Sequence, residues 1–548
     1  MRYQLKFFLV LLALFAVFFS CSAQTPAWQW ANSAGGGGFE QGNSIAAADS
    51  GNTYVTGAFL GEAAFADDTL TSNTPTFEDI FLAKYDANGQ LVWANRAGGA
   101  SYDYGRGIAV DAAGNCYVTG SFEGTADFGD TSLIAGSGFP AMFIVKYLPD
   151  GSLDWGLQLS GTNLCTGNAI AVDDTGNCYV TGHFGGMLDF GDSSFTSFGN
   201  YDVLTAKFDP AGQMLWVRQA GGSSFDFGED IAVHSSGFVQ VTGYFANTAE
   251  FNTNFILPSN GVNDIFIARY GPSGGLHWAR KAGSPSDDRG YGIDVDAAGY
   301  IYITGEFEDT AQFGDSSLVS TATAGKTNCF VAKYNPNGII EWARQAGGTA
   351  DDDKGLAIAV EGTGEAYVTG YFGSTTAVFG SDTLFAPAGS DDVFVAKYDA
   401  SGEVLWAQQA GGTTTDRANG IAVDPAGAVY TVGTFTTTAN FGATPLSSAG
   451  EADIFVAKLV DSTITANSPH HESTRFQFYP NPTNGAFTVE AGKGQKTLRM
   501  FDLHGSIVFE RTFRSERLSV QTQELPNGVY LLQLQQGAQY STRRLLIR

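Results

Sequence analysis

The stretch Gly107-Ile108-Ala109-Val110-Asp111-Ala112-Ala113-Gly114-Asn115-Cys116-Tyr117-Val118-Thr119-Gly120-Ser121-Phe122 decides the fold. Two short β-branched and aromatic runs flank a turn in which Gly supplies the positive φ of a tight hairpin. The phrase returns along the chain, its first run beginning near Ile45, Ile108, Ile170, Ile231, Ile293, Ile358 and Ile421. A Phe-Ile-Val-Lys type of run recurs near Phe81, Phe143, Leu204, Phe266, Phe330, Phe394 and Phe455, followed by turns such as Asp86-Ala-Asn-Gly89 and Asn335-Pro-Asn-Gly338. Trp30, Trp93, Trp155, Trp216, Trp278, Trp342 and Trp406 mark a further run, at intervals of 61 to 64 residues.

A fixed period of this size, about 62 residues, means a propeller, a solenoid or an array. Each unit offers four short strands separated by Gly, Asp, Asn and Pro turns, and no helical period survives the glycine density. The expected fold is all-β: a seven-bladed β-propeller with four-stranded blades over residues 24–460, followed by a small Ig-like β-sandwich. The first Trp run precedes the first Ile-Ala-Val run and none follows Leu459. Residues 25–36 are therefore expected to complete the seventh blade as its outer strand, which leaves few free sheet edges. Phenylalanines after each Thr-Gly step (Phe59, Phe122, Phe184 and their equivalents) and before the next turn (Phe65, Phe128, Phe190 and theirs) suit packing between blades. The small second residue of the Ile-Ala-Val run suits an innermost strand.

The N-terminus reads as a secretory signal peptide over residues 1–23: Arg2 and Lys6, an apolar run from Phe7 to Phe19, then Ser20-Cys21-Ser22-Ala23. Cleavage after Ala23 fits the small-residue rule, with lipoprotein acylation at Cys21 as the alternative. No later segment has the length of a transmembrane span. The formal net charge is −27, although residues from Phe476 onward carry nine Lys/Arg against five Asp/Glu. So acidic a body is repelled by nucleic acid and by anionic membranes. Cys116, Cys165, Cys178 and Cys329 have no metal-site spacing and read as single buried thiols.

Over residues 28 to 460 the units resemble the bacterial SBBP-type β-propeller repeat and, more distantly, the NHL family. After a polar linker, 461–475, come Phe478-Tyr479-Pro480-Asn481-Pro482, Asn484-Gly485, Leu525-Pro526-Asn527-Gly528 and a basic end, Arg543-Arg544-Leu545-Leu546-Ile547-Arg548. This module, 476–548, resembles the type IX secretion (Por) C-terminal sorting domain. The resemblance implies Sec export, passage through the outer membrane by the type IX machinery, and a secreted or outer-surface destination.

Catalytic motifs are absent or misplaced. Gly271-Pro272-Ser273-Gly274-Gly275 matches G-x-S-x-G but falls in a turn between strands, where a nucleophile elbow needs a strand-to-helix turn. One acidic position recurs five residues before the first-run Ile: Glu40, Asp103, Asp226, Asp288, Asp353 and Asp416, with Cys165 in the third unit. These acids read as loop ties that accept backbone N–H bonds. The functional alternative is a carboxylate-lined mouth for Ca²⁺, a cation or a sugar. Asp294, which replaces the second-position Ala, reads as channel-facing or solvated. The function expected is a binding or adhesion module for an extracellular glycan or protein, with no cofactor other than calcium; the alternative is a propeller polysaccharide lyase or glycosidase.

Overall fold

The computed structural model describes residues 26–136, 138–190, 193–461, 476–479, 483, 485–491, 493–501, 507–522, 525–526, 528–536 and 539–547. The chain divides between residues 463 and 464 into two compact units. The expected signal peptide and residues 462–475 of the expected linker lie outside the described residues. Every described element is a strand, and among the described residues no helix is long and apolar enough to cross a membrane.

In the first unit the same arrangement recurs in every repeat. The second repeat contributes Asp103–Val110, Cys116–Phe122, Ala141–Tyr147 and Leu153–Leu159, antiparallel and paired in that order. The middle two strands are buried along almost their whole length, and the fourth keeps one face half exposed. First strands of successive repeats stand side by side. A Cβ on Gly107 would lie 2.8 Å from the Cα of Ala169 in the next repeat. Gly420 of the last repeat approaches Ser44 of the first in the same way, at 3.2 Å. The first strands of all seven repeats line a channel of about 660 Å³, with Ala46, Ala109, Ala171, Ala232, Ala359 and Ala422 on its wall. The small second residue of the first run is thus explained by crowding around the channel.

The last repeat takes its fourth strand from the opposite end of the chain. Ala27–Gly36 pairs antiparallel with Asp453–Val460, and Trp30 stands opposite Lys458 as Trp93 stands opposite Lys84. The tryptophans record this junction. The indole N–H of Trp93 donates to Pro149 O (3.2 Å), that of Trp155 to Pro210 O (3.0 Å) and that of Trp278 to Pro336 O (3.1 Å), each in the turn between third and fourth strands of the following repeat. Trp406 faces the last repeat, whose third strand leads out of the unit instead of turning, and its buried indole N–H has no partner among the described residues.

A feature beyond the four expected strands is a hairpin between the second and third, such as Thr125–Asp127 with Ser132–Ile134. It leaves its own repeat and pairs with the preceding one, Ala126 opposite Gly99 and Asp127 opposite Gly98. Equivalent links run between Gly36 and Ala63, Gly161 and Leu188, Gly221 and Glu250, Gly283 and Gln312, Gly347 and Val378, and Gly411 and Asn440. Every junction therefore carries backbone pairing in addition to side-chain packing.

The phenylalanines form that packing. Phe59, Phe122, Phe184, Phe245, Phe307, Phe372 and Phe435 are all fully buried. Phe128 meets Phe143 at 4.8 Å and Phe379 meets Phe394 at 4.7 Å between ring centroids. Each ring taken from water contributes roughly 1.5–3 kcal/mol. Gly120 makes room for them: a Cβ there would lie 1.9 Å from Tyr104 O and 2.8 Å from Phe143 Cε1.

The second unit is two antiparallel sheets over one core. Phe476–Tyr479, Ala486–Ala491 and Arg517–Gln521 form one. Lys496–Phe501, Ile507–Phe513, Gly528–Gln536 and Gln539–Ile547 form the other. Phe487, Val489, Leu498, Met500, Leu532, Leu534 and Leu545 are buried together. This agrees with the small sandwich expected from the alternating pattern.

Candidate functional site

The recurrent acids sit one per repeat and are not brought together. Glu40, Asp103, Asp226, Asp288, Asp353 and Asp416 are fully buried. Asp103 accepts from Gly99 N (2.6 Å), at the end of the preceding repeat, and from Glu123 N (3.1 Å), at the start of its own hairpin loop. Asp226 accepts from Gly222 N and Ala246 N, and Asp416 from Gly412 N and Thr436 N, in the same manner. Asp288 adds the Ser284 hydroxyl and Asp353 the Ser374 hydroxyl. Burial pushes the carboxyls of Asp103, Asp226, Asp288 and Asp416 up to about 7 and that of Asp353 to about 6. Among the described residues no three metal-ligating side chains cluster.

Asp294 does line the channel. Its oxygens accept from its own Val295 N (2.7 Å) and from Val360 N (2.7 Å) of the next repeat. Asp230 does the same with Ile231 N and Ile293 N. Both carboxylates fasten neighbouring first strands, and burial raises Asp294 to about 6 and Asp230 to about 7.

One end of the channel differs from repeat to repeat. Each first strand carries a β-bulge near its start, between Gly105 and Gly107 in the second repeat and at equivalent places in the others. A bulge re-aims the extra side chain. The bulged residues are Asn43, Arg106, Asn168, Glu229, Tyr291, Leu356 and Asn419, all lining the channel. Three of them bridge to the next repeat: Asn43 Nδ2 donates to Gly105 O, Asn168 Nδ2 to Gly228 O and Asn419 Nδ2 to Gly42 O. Arg106 has no ion pair and no hydrogen bond among the described residues, its guanidinium resting 5.6 Å from the Tyr104 ring centre. Enclosure raises the Glu229 carboxyl to about 7 against the pull of Arg106 and Arg289.

Two residues before each bulge the same divergence appears: Gln41, Tyr104, Thr166, Phe227, Arg289, Lys354 and Arg417. Their cross-strand partners Ala58, Ser121, His183, Tyr244, Glu306, Tyr371 and Thr434 vary as freely. Around them stand exposed aromatics, Phe39, Tyr102 and Phe225. Phe225 stacks parallel to Phe227 at 6.4 Å, and His183 lies 4.6 Å from Phe227. Burial, with Arg106 nearby, depresses His183 to about 3, so it stays neutral at physiological pH.

Beside this mouth a cavity of about 380 Å³ shares Gln41, Tyr291, Leu356 and Asn419 with the channel and adds Phe39, Tyr371 and Arg417. The charges here are paired. Arg417 binds Asp391 through Nε (2.8 Å) and Nη2 (2.5 Å) while stacking 4.3 Å from the Tyr371 ring centre. Lys354 lies 2.7 Å from Glu306, which also accepts the Tyr291 hydroxyl at 2.5 Å. Arg289 holds Asp287 with Nε and Nη2.

Sequence reading sought function at a repeated position and so missed this mouth. Its signal is the reverse: positions that diverge inside otherwise faithful repeats. Ser273 of the G-x-S-x-G match lies in the turn between Asp264–Tyr270 and Leu276–Gly283. All four described cysteines are free and buried.

Residues 477–548 match the family model of the secretion system C-terminal sorting domain, and residues 92–121 match the beta-propeller repeat. The chain is similar to an uncharacterized WD repeat-containing protein of Acanthamoeba polyphaga mimivirus, 26% identical over 440 residues that cover 65% of this chain and 31% of that protein. It is also similar to the regulatory protein FlaEY of Caulobacter vibrioides, 27% identical over 171 residues, covering 30% of this chain and 18% of that protein. The matches thus span a third or less of these relatives' own length. Among solved structures it is similar to PorZ, a surface component of the type-IX secretion system of Porphyromonas gingivalis, at 11% identity and a TM-score of 0.30 over 92% of this chain and 70% of that one. A likeness to Sqt1 from Chaetomium thermophilum has 9% identity and a TM-score of 0.38 over 75% of this chain and 83% of that one.

Proposed function

We propose that this chain, which carries a β-propeller repeat and a secretion sorting domain, is an exported, closed seven-bladed propeller that binds an extracellular ligand at its channel mouth. Closure is supported by the pairing of Ala27–Gly36 with Asp453–Val460 and by the return of Gly420 to Ser44. Export is supported by the match at residues 477–548 together with the signal peptide read at residues 1–23. The type IX machinery is then the partner of the C-terminal unit, and the propeller works as a secreted or outer-surface protein.

The observation that carries the binding reading is the divergence at the mouth. Positions that hold blades together repeat faithfully, whereas the bulged ring and its neighbours become cationic, acidic, aromatic or amide from blade to blade. A rigid scaffold presenting varied side chains at one concave end suits ligand recognition. A glycan array, run together with a screen for released reducing ends, tests it. Saturable binding without release supports a binding module, and release of reducing ends would make the protein an enzyme.

The recurrent acids act in this account as ties between blades and not as calcium ligands. Each is closed from solvent and committed to backbone donors, which leaves few free oxygens for an ion that takes 6–8 of them. Chelation should leave the melting temperature unchanged. A chelator-sensitive melt restored by calcium and lost in Asp288→Asn and Asp353→Asn would reverse that assignment.

A further inference from the structure

We infer that the 380 Å³ cavity beside the channel mouth receives the end of a neutral glycan chain, a deepening that rests on the mouth being the binding surface. The volume falls at the lower end of the range of about 300–1,000 Å³ typical of small-molecule sites. It suits a chain end and is too small for a folded surface. Phe39 is 41% exposed and, with Tyr291 and Leu356, gives the cavity apolar faces against which the CH side of a sugar ring can lie. The Gln41 amide and the Thr415 hydroxyl can donate to or accept from sugar hydroxyls, while the Thr436 hydroxyl, which donates to Thr415 O, and the Asn419 amide, which donates to Gly42 O, keep their oxygens to accept.

Charge decides between neutral and acidic sugars. Both cations of the cavity are already neutralised, Lys354 by Glu306 at 2.7 Å and Arg417 by Asp391. An incoming carboxylate or sulfate would have to break one of these pairs and strand the displaced carboxylate; Glu306 is itself buried. It would also approach a chain whose formal net charge is −27. A neutral sugar meets neither cost. The paired ions instead present fixed, charge-assisted partners for its hydroxyls.

The test uses the full-length secreted protein in calorimetric titrations. The probes are neutral oligosaccharides ending in glucose, galactose or mannose, their uronate-ended and sulfated counterparts, and acidic and basic peptides. The expected result is saturable binding of a neutral-ended probe, weakened about tenfold by Phe39→Ala and by Gln41→Ala while the melting temperature stays unchanged. Binding of acidic sugars or peptides alone, lost in Phe39→Ala, overturns the neutral-glycan inference and leaves the mouth as the binding surface. Binding that both variants leave untouched overturns the cavity assignment, and the mouth reading falls with it only if Arg106→Ala and Glu229→Gln also leave binding untouched. Absence of any saccharide binding overturns the inference.

Discussion

Asp79 and Asp103 face each other across Gly98, both fully buried: a Cβ on Gly98 would lie 2.8 Å from Asp79 Cγ and 2.9 Å from Asp103 Oδ2. Asp202 and Asp226 meet across Gly221, and Asp264 and Asp288 across Gly283, in the same way. Glu40 is raised to about 7 by burial, with Asp453 adding to the shift, and Asp392 likewise adds to that of Asp416. The exceptions vary together. Where Cys165 replaces the acid, its opposite number is Ala141, and opposite Asp353 stands Asn328, whose amide lies 3.5 Å from it.

These pairs should give the fold a stability that falls as pH rises. Burial pushes Asp103, Asp226 and Asp288 up to about 7 in the folded chain, against near 4 when unfolded, and raises Asp79, Asp202 and Asp264 in the same direction, so the folded state holds the extra protons above about pH 4. The stability they contribute is fully present below about pH 4 and is lost as pH rises through about 7. The melting temperature should therefore be higher at pH 5 than at pH 8. Asp392→Asn, which copies the Asn328–Asp353 arrangement, should raise stability at pH 8 by about 1 kcal/mol and reduce the slope. A melting temperature that climbs steadily from pH 5 to pH 8 would contradict the assignment.

The fourth repeat lacks a bond that other repeats have. Tyr117 OH donates to Asp111 and to Gly176 O, and Tyr302 OH to Asp296 and to Gly364 O. In the fourth repeat the pair is Gln240 and His234, and the fully buried Gln240 amide has no hydrogen-bond partner among the described residues. The double variant His234→Asp with Gln240→Tyr should restore the pair and raise stability by about 1–2 kcal/mol in chemical denaturation. A destabilised double variant would show that this blade has repacked around the amide.

Closure by the N-terminal strand can be tested by deletion. A chain lacking residues 26–36 loses the partner of Asp453–Val460 and the indole bond of Trp30 to Ala87 O. It should melt at a markedly lower temperature and with less cooperativity, and its exposed edge should promote association. Melting identical to the intact protein would refute the closing role.

Architecture was legible because its causes are periodic. Each junction between repeats needs the same Phe, the same close-approach Gly and the same Trp, so the sequence repeats them. The missing tryptophan run after Leu459 even pointed to the N-terminal strand that pairs with Asp453–Val460. The hairpin Thr125–Asp127 with Ser132–Ile134 was not legible, because strands of three residues show too little alternation to stand out from a turn. The mouth escaped for the opposite reason: Arg106, Glu229 and Tyr291 share a position and no chemistry, so a search for recurring residues passes over them. The acids at Asp103 and its equivalents did recur, and recurrence there reflects a junction made again in each repeat.

Binding at the mouth is tested most directly by comparing ligand binding in variants at the two ends of the channel. Arg106→Ala and Glu229→Gln alter the diverging mouth, and Thr175→Ala alters an exposed turn at the other end. With whichever saccharide binds best, each mouth variant should raise the dissociation constant about tenfold or more and Thr175→Ala should leave it unchanged, at equal melting temperatures. Wild-type affinity in both mouth variants, or loss of binding in Thr175→Ala alone, would contradict it.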